Sequence, residues 1–331
     1  MSAYVPVIDL DRDDTVVAAE LDRVCREVGF FQIVGHGVEP EVEERAWRAF
    51  TRFFDLPVEA KLALRPGPGE PYGYIPAGAE SLARSTGTDT ETDTETDTGT
   101  DEPPGDVKES LNIGPMDPPA HPLSGPDEAA VHTPNRWPDA LPELEPAARA
   151  YTAAMAALTA RLMRLFALGL DLPATFFDDK IDRSPHALRA VNYPATSVPL
   201  AKGQLRAGAH TDYGLLTILR QDAVGGLEVL DHAGAWAAVP AVPGAYVLNI
   251  GDLMARWTND RWRSTLHRVV NPVEGAAAAA RRQSVPFFAN ANWDADVRCL
   301  PSCLAPGETP RYAPVEAGPH LLGKFRRTVA A

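Results

Sequence analysis

The residues best suited to chemistry lie in the second half of the chain: His210, Asp212 two positions later, and His267, 55 residues beyond Asp212. On a strand, residues i and i+2 point to one face, so an extended segment would aim His210 and Asp212 at a single ion. His267 stands in another β-type run, STLHRVV (264–270), and can arrive from a neighbouring strand. Two imidazoles and one carboxylate are the donor set of non-haem iron(II) oxygen chemistry. They cover one face of an octahedral ion and leave three positions for a co-substrate and dioxygen. An HxD pair with a distant His is a weak signal alone. Fifteen residues after His267 stands Arg282, followed by Ser284, and period two again gives both one face. A guanidinium fork beside a hydroxyl is a carboxylate receptor. A metal triad together with such a receptor is specific.

These side chains need strands to position them. From residue 188 onward the sequence breaks into short β runs at 215–219, 227–230, 236–239, 245–250, 266–270 and 284–288, with Gly- and Pro-containing turns between them. Many short strands at this spacing indicate a sandwich or barrel. The front half reads differently. A short strand at 5–10 precedes an amphipathic helix carrying Val17, Leu21, Val24, Cys25 and Val28, which Gly29 ends. A β run at 30–34 and a helix at 40–54 follow, and a third helix restarts after Leu56. The proline-rich stretch 115–142 reads as an irregular loop. A helix over 144–170 would bury Ala148, Tyr151, Met155, Leu158, Leu162, Leu165 and Phe166. No linker separates the halves, so residues 1–187 and 188–331 are expected to form one structural unit.

Residues 85–104, STGTDTETDTETDTGTDEPP, have almost no apolar side chain and carry seven acids without one Lys or Arg. Nothing there can pay for ordering by burial, so a disordered, solvated insertion is expected. A calcium loop is disfavoured, because the glycine turn and closing bidentate Glu are missing. The formal charge of −14 disfavours binding to nucleic acid or to anionic lipid. Three cysteines are too few for a disulfide scaffold. The first eleven residues do not resemble a signal peptide, and Arg161 and Arg164 interrupt the most apolar helix. A cytoplasmic protein without membrane contact is the expectation; the oligomeric state is not legible.

The chain resembles the iron(II)/2-oxoglutarate-dependent dioxygenases of the isopenicillin N synthase-like family. In the front half the similar motifs are VPVID (5–9), GFFQIVGHGV (29–38), FFDLP (53–57), Gly73-Tyr74 and KESLNIG (108–114). In the second half they are NYP (192–194), HTDYGLLTIL (210–219), GLEV (226–229), VPGAYVLNIGD (242–252) and STLHRV (264–269). The resemblance implies a mainly β protein with packed helices: a double-stranded β-helix (jelly-roll) core behind a helical N-terminal region. It implies His210, Asp212 and His267 as iron ligands, Arg282 and Ser284 on the distal carboxylate of 2-oxoglutarate, and Tyr193 assisting there. Fe(II), 2-oxoglutarate and dioxygen are the expected cofactor and co-substrates. Gly35 departs from the Asn the family commonly has before His-Gly, which touches a front-half turn and not the metal. The acidic insertion departs as well.

For the substrate wall the sequence offers Tyr213, Phe288, Asn290, Tyr74 and Asn112, each as well explained by packing. Asn249 and Asp252 could orient neighbours of the metal ligands. His36 reads as a turn residue between glycines and His232 as a hairpin tip, while His121, His132, His186 and His320 show no ligand spacing. Arg206, Arg268 and Arg281 read as surface or supporting residues. The expected activity is oxidation of an unactivated C–H bond of a small molecule, most simply hydroxylation, with desaturation or ring closure as other outcomes. Two alternatives stay open on the sequence: an isopenicillin N synthase-like Fe(II) oxidase that does not use 2-oxoglutarate, and a non-catalytic small-molecule-binding module.

Overall fold

The computed structural model describes residues 4–82, 105–195, 204–271 and 280–329. The acidic insertion at 85–104 lies outside the described residues.

Eight strands of the second half wind between two sheets. Strands β5 (Ala187–Tyr193), β7 (Leu216–Gln221), β10 (Tyr246–Ile250) and β12 (Arg282–Ala289) belong to the larger sheet. Strands β6 (Ala207–His210), β8 (Leu227–Leu230), β9 (Trp236–Ala238) and β11 (His267–Val269) form the smaller one, in the order β6-β11-β8-β9. The chain passes from one sheet to the other and back, as a double-stranded β-helix requires. The front half extends the larger sheet at both edges. Strands β1 (Val7–Asp9) and β2 (Phe30–Val34) add beside β10, while β3 (Gly73–Ile75) and β4 (Glu109–Ile113) add beside β5. Strands from both halves therefore share one eight-stranded sheet, and residue 187 opens β5.

The helices back this sheet. Helix α1 (Asp14–Glu27) starts where the Asp13 carboxylate accepts the amides of Thr15 and Val16. It packs with α2 (Pro40–Phe54) against α5 (Leu144–Gly169). Helix α5 is long and apolar enough to cross a membrane, the only such helix among the described residues. Its Tyr151, Met155, Leu162 and Phe166 are instead buried in the core. Arg161 donates to the carbonyls of Gly35 and Leu10, and Arg164 pairs with Asp178 at 2.9 Å. The short α3 (Val58–Leu62) follows α2. The 115–142 stretch is not wholly irregular, because Pro126 at the first turn starts a short helix, α4 (Pro126–Ala130). Helices α6 (Asp178–Ile181), α7 (Asp252–Trp257) and α8 (Ala317–Val329) have no counterpart in the sequence reading.

Candidate active site

His210 and His267 are direct register partners on β6 and β11, with ring centroids 4.3 Å apart. Each Nδ1 faces a backbone carbonyl, that of Gly208 at 2.8 Å for His210 and of Thr265 at 3.1 Å for His267. An Nδ1–H donated there leaves both Nε2 lone pairs facing inward. Asp212 Oδ1 lies 3.9 Å from each Nε2, and the three donor atoms all fall within 4.8 Å of one another. Burial, and then the neighbouring His267, pushes the His210 imidazole down to about 3. Burial works against ionisation of Asp212 too, but the imidazoles and the Thr217 and Asn249 hydrogen bonds outweigh it and hold the carboxyl below its usual range. A neutral His210 imidazole beside an ionised Asp212 carboxylate suits a divalent cation.

The period-two argument for Asp212 needs correction. β6 ends at His210, and Asp212 lies in the turn beyond it. What holds the turn is close packing on the next crossing of the chain. The Asp252 amide donates to the Asp212 carbonyl at 2.7 Å. A Cβ on Gly251 would meet the Gly214 carbonyl oxygen at 2.2 Å, so only glycine lets these segments approach.

On β12 the strand logic holds. Arg282 is 1% exposed, donates to Ser284 Oγ at 3.2 Å and Gln221 Oε1 at 3.0 Å, and lies 4.8 Å from the ring centre of its register partner Tyr193. Its Nε has no partner, and no carboxylate pairs with it among the described residues. A buried guanidinium without a counter-charge is costly, and an anionic co-substrate would relieve that cost. Arg206 is 2% exposed rather than on the surface. It donates to the Ala280 carbonyl at 2.7 Å, and burial followed by the nearby Arg282 charge lowers its pKa.

The donors and Arg282 open onto one cavity of about 360 Å³ between the two sheets. Tyr193, Ser284, Tyr213, Phe288, Asn290 and Asn112 line it as well. Tyr74 does not. Gly73 takes φ +135°, which breaks the alternation, so Tyr72 lines the cavity while Tyr74 turns away. The Tyr74 hydroxyl donates to Glu109 Oε2 at 2.5 Å, beside the buried Lys61–Glu109 pair at 2.8 Å.

Several lining residues escaped the sequence reading. Glu80, Lys108 and Arg189 form a charged strip in which Arg189 pairs with Glu80 and Lys108 pairs with Asp106 at 2.7 Å. Asp106 in turn accepts the Gly208 amide at 2.9 Å, which ties the strip to β6. Arg189 shares a face of β5 with Val191 and Tyr193, a spacing that could have revealed it. Val131, Leu321, Leu322 and Phe325, from the region after α4 and from α8, add an apolar wall that no local pattern announces. The remaining histidines lie elsewhere: His36 bridges its own turn and the Gly244 carbonyl, and His121 meets Glu128 at 2.9 Å.

Comparison with known proteins agrees with this geometry. Residues 5–140 match the family model for the N-terminal region of non-haem dioxygenases in morphine synthesis. Residues 185–291 match the model of the 2OG-Fe(II) oxygenase superfamily. The 2-oxoglutarate-Fe(II) type oxidoreductase hxnY of Emericella nidulans is 35% identical over 92% of this chain and 82% of its own length. Validamycin A dioxygenase of Streptomyces hygroscopicus subsp. limoneus is 33% identical over 98% of this chain and 86% of its own. A full-length Neurospora crassa protein, solved in complex with alpha-KG, superimposes with a TM-score of 0.82 at 29% identity, over 99% of this chain and 96% of that one.

Proposed function

Because the chain belongs to the 2OG-Fe(II) oxygenase superfamily, we propose that His210, Asp212 and His267 hold its Fe(II), and that Arg282 and Ser284, with Tyr193 beside them, hold the distal carboxylate of 2-oxoglutarate. The protein is an Fe(II)/2-oxoglutarate-dependent dioxygenase. The donors fit the metal, and Arg282, whose Nε has no partner and which no carboxylate pairs with among the described residues, fits the diacid. With 2-oxoglutarate and dioxygen bound, iron supplies the oxidation of an unactivated C–H bond while 2-oxoglutarate leaves as succinate and CO2.

The chain's own residues position and exclude. Tyr213, Phe288, Asn290 and Asn112 form the substrate wall, joined by Arg189 and capped by Leu321, Leu322 and Phe325. An apolar enclosure with a few convergent polar groups suits one small molecule held dry against the metal. Hydroxylation is the proposed outcome. Structures of the same Neurospora crassa protein in complex with thymine and with 5-formyluracil support a small-molecule substrate. The formal charge of −14 supports an enzyme that binds neither nucleic acid nor anionic lipid. The eight-stranded sheet, shared by residues 1–187 and 188–331, supports reading them as one unit.

The observation that carries this reading is a buried Arg282, paired with no carboxylate among the described residues, opening onto the same cavity as the three donors. The test is a small-molecule library screened for succinate release and oxygen uptake, with and without 2-oxoglutarate. Coupled, 2-oxoglutarate-dependent turnover with an oxygen atom added to product is expected. Substrate oxidation that proceeds equally well without 2-oxoglutarate would contradict it.

A further inference from the structure

Among the described residues, the side chains that donate to Asp212 grip one oxygen only. Thr217 Oγ1 donates to its Oδ2 at 2.5 Å and Asn249 Nδ2 donates to the same atom at 2.7 Å. Oδ1 receives neither, and it is the oxygen 3.9 Å from both imidazole Nε2 atoms. Thr217 and Asn249 are themselves direct register partners on the adjacent strands β7 and β10, and are 4% and 3% exposed. The site is thus built from two register pairs, one in each sheet. His210 and His267 come from the smaller sheet, Thr217 and Asn249 from the larger, and Asp212 lies in the turn between them.

We propose that the Thr217–Asn249 pair is a positioning clamp that reserves Asp212 Oδ2 and leaves Oδ1 as the single oxygen free to ligate. This rests on the assignment of His210, Asp212 and His267 as metal ligands. A carboxylate can take one coordination position or two. Two charge-assisted hydrogen bonds on one oxygen occupy its two lone pairs and fix the plane of the group. A carboxylate kept to one position leaves room for a chelating 2-oxo acid. Without the clamp, Oδ2 is free to turn inward and compete for that room. The clamp's signature is therefore a loss of co-substrate binding on protein that still carries metal.

The test uses the full-length protein under anaerobic conditions. Fe(II) affinity is measured by competition with a chelator, and 2-oxoglutarate affinity is measured by calorimetry on protein saturated with Fe(II). Thr217→Val and Asn249→Ala are independent variants, so failure of one to fold leaves the other to decide. In each, the 2-oxoglutarate dissociation constant of the Fe(II)-saturated protein is expected to rise about tenfold or more, and Thr217→Ser, which keeps the hydroxyl, is expected to restore the wild-type value. An unchanged 2-oxoglutarate constant in the saturated variants overturns the clamp. That includes the case where Fe(II) affinity alone drops by the roughly 10- to 100-fold expected of a residue that merely orients a ligand. Wild-type protein that binds no Fe(II) would instead overturn the metal assignment beneath it.

Discussion

The two ends of the cavity are made in different ways. Its inner end is carried on paired strands: Arg282 and Ser284 lie two residues apart on β12, and Pro286, Phe288 and, one residue past the strand, Asn290 continue the same face toward the proposed substrate wall. Its outer end is assembled from residues far apart in sequence, with Tyr72, Glu80 and Lys108 from the front half, Val131 after α4, and Leu321, Leu322 and Phe325 from α8. Strand geometry dictates the first arrangement, because the pleat repeats every two residues. The second depends on where a helix docks, and small clusters such as Val131, Trp293, Leu322 and Phe325 decide that. The inner end thus holds the residues proposed for the co-substrate, and the outer end those proposed to cap the substrate.

The largest effect separating the two ends should come from His210→Ala. Fe(II) binding and substrate-coupled succinate formation should fall to background, and activity at the wild-type level in that variant would remove the basis for the inner end. Arg282→Ala should raise the KM for 2-oxoglutarate about 10- to 100-fold, the range for one charge-assisted hydrogen-bonding group. The substrate KM should change far less, and steady-state kinetics with each reactant varied will show the split. Phe325→Ala should do the reverse, raising the substrate KM about tenfold, as expected if the half-buried ring loses about 1.5 kcal/mol of apolar contact with the substrate, with the 2-oxoglutarate KM unchanged. Equal shifts in both constants would mean that the two ends are not separable.

Two smaller effects sharpen the boundary. Burial drives the His186 imidazole down to about 4, and its Nδ1 accepts the amide of Asn290 at 3.2 Å, which a protonated ring cannot do. The unfolded chain takes up this proton near 6.5 and the folded chain only near 4. Stability should therefore fall as pH drops through that window, by about 2 kcal/mol for a half-buried ring. Urea unfolding at pH 7 and pH 4 should show a shallower slope in His186→Gln. Tyr74→Phe removes one hydrogen bond to Glu109 and should cost about 1 kcal/mol of stability, leaving the substrate KM unchanged because Tyr74 lies off the cavity.

The same contrast explains what could be read from the residues alone. Arg282 and Ser284 obey strand alternation, so their common face on β12 is legible in the sequence, as is the approach of His267 to the HxD segment from a neighbouring strand. The strand runs of the second half and helices α1, α2 and α5 followed from periodicity and capping. Asp212 was placed beside His210 for an incomplete reason, since the strand stops at His210 and tight packing at Gly251 completes the geometry. Tyr74 was misplaced because a glycine at φ +135° resets which face follows. The burial of Arg206 near Arg282 is not legible in the sequence, because nothing in its local pattern reports which distant segment covers it. The α8 wall was invisible for a similar reason: its apolar residues are recognised as cavity wall only when the helix is docked.

The three donors and Arg282 are proposed to hold one metal and one diacid side by side. The most direct measurement is an anaerobic titration of metal-free protein with Fe(II) and 2-oxoglutarate, followed by the visible charge-transfer band that a 2-oxo acid gives on chelating Fe(II). The account predicts one iron per chain, a band that needs both additions, and loss of that band in His267→Ala. A wild-type protein that takes up iron without developing the band, or a His267→Ala variant that develops it in full, would contradict the account.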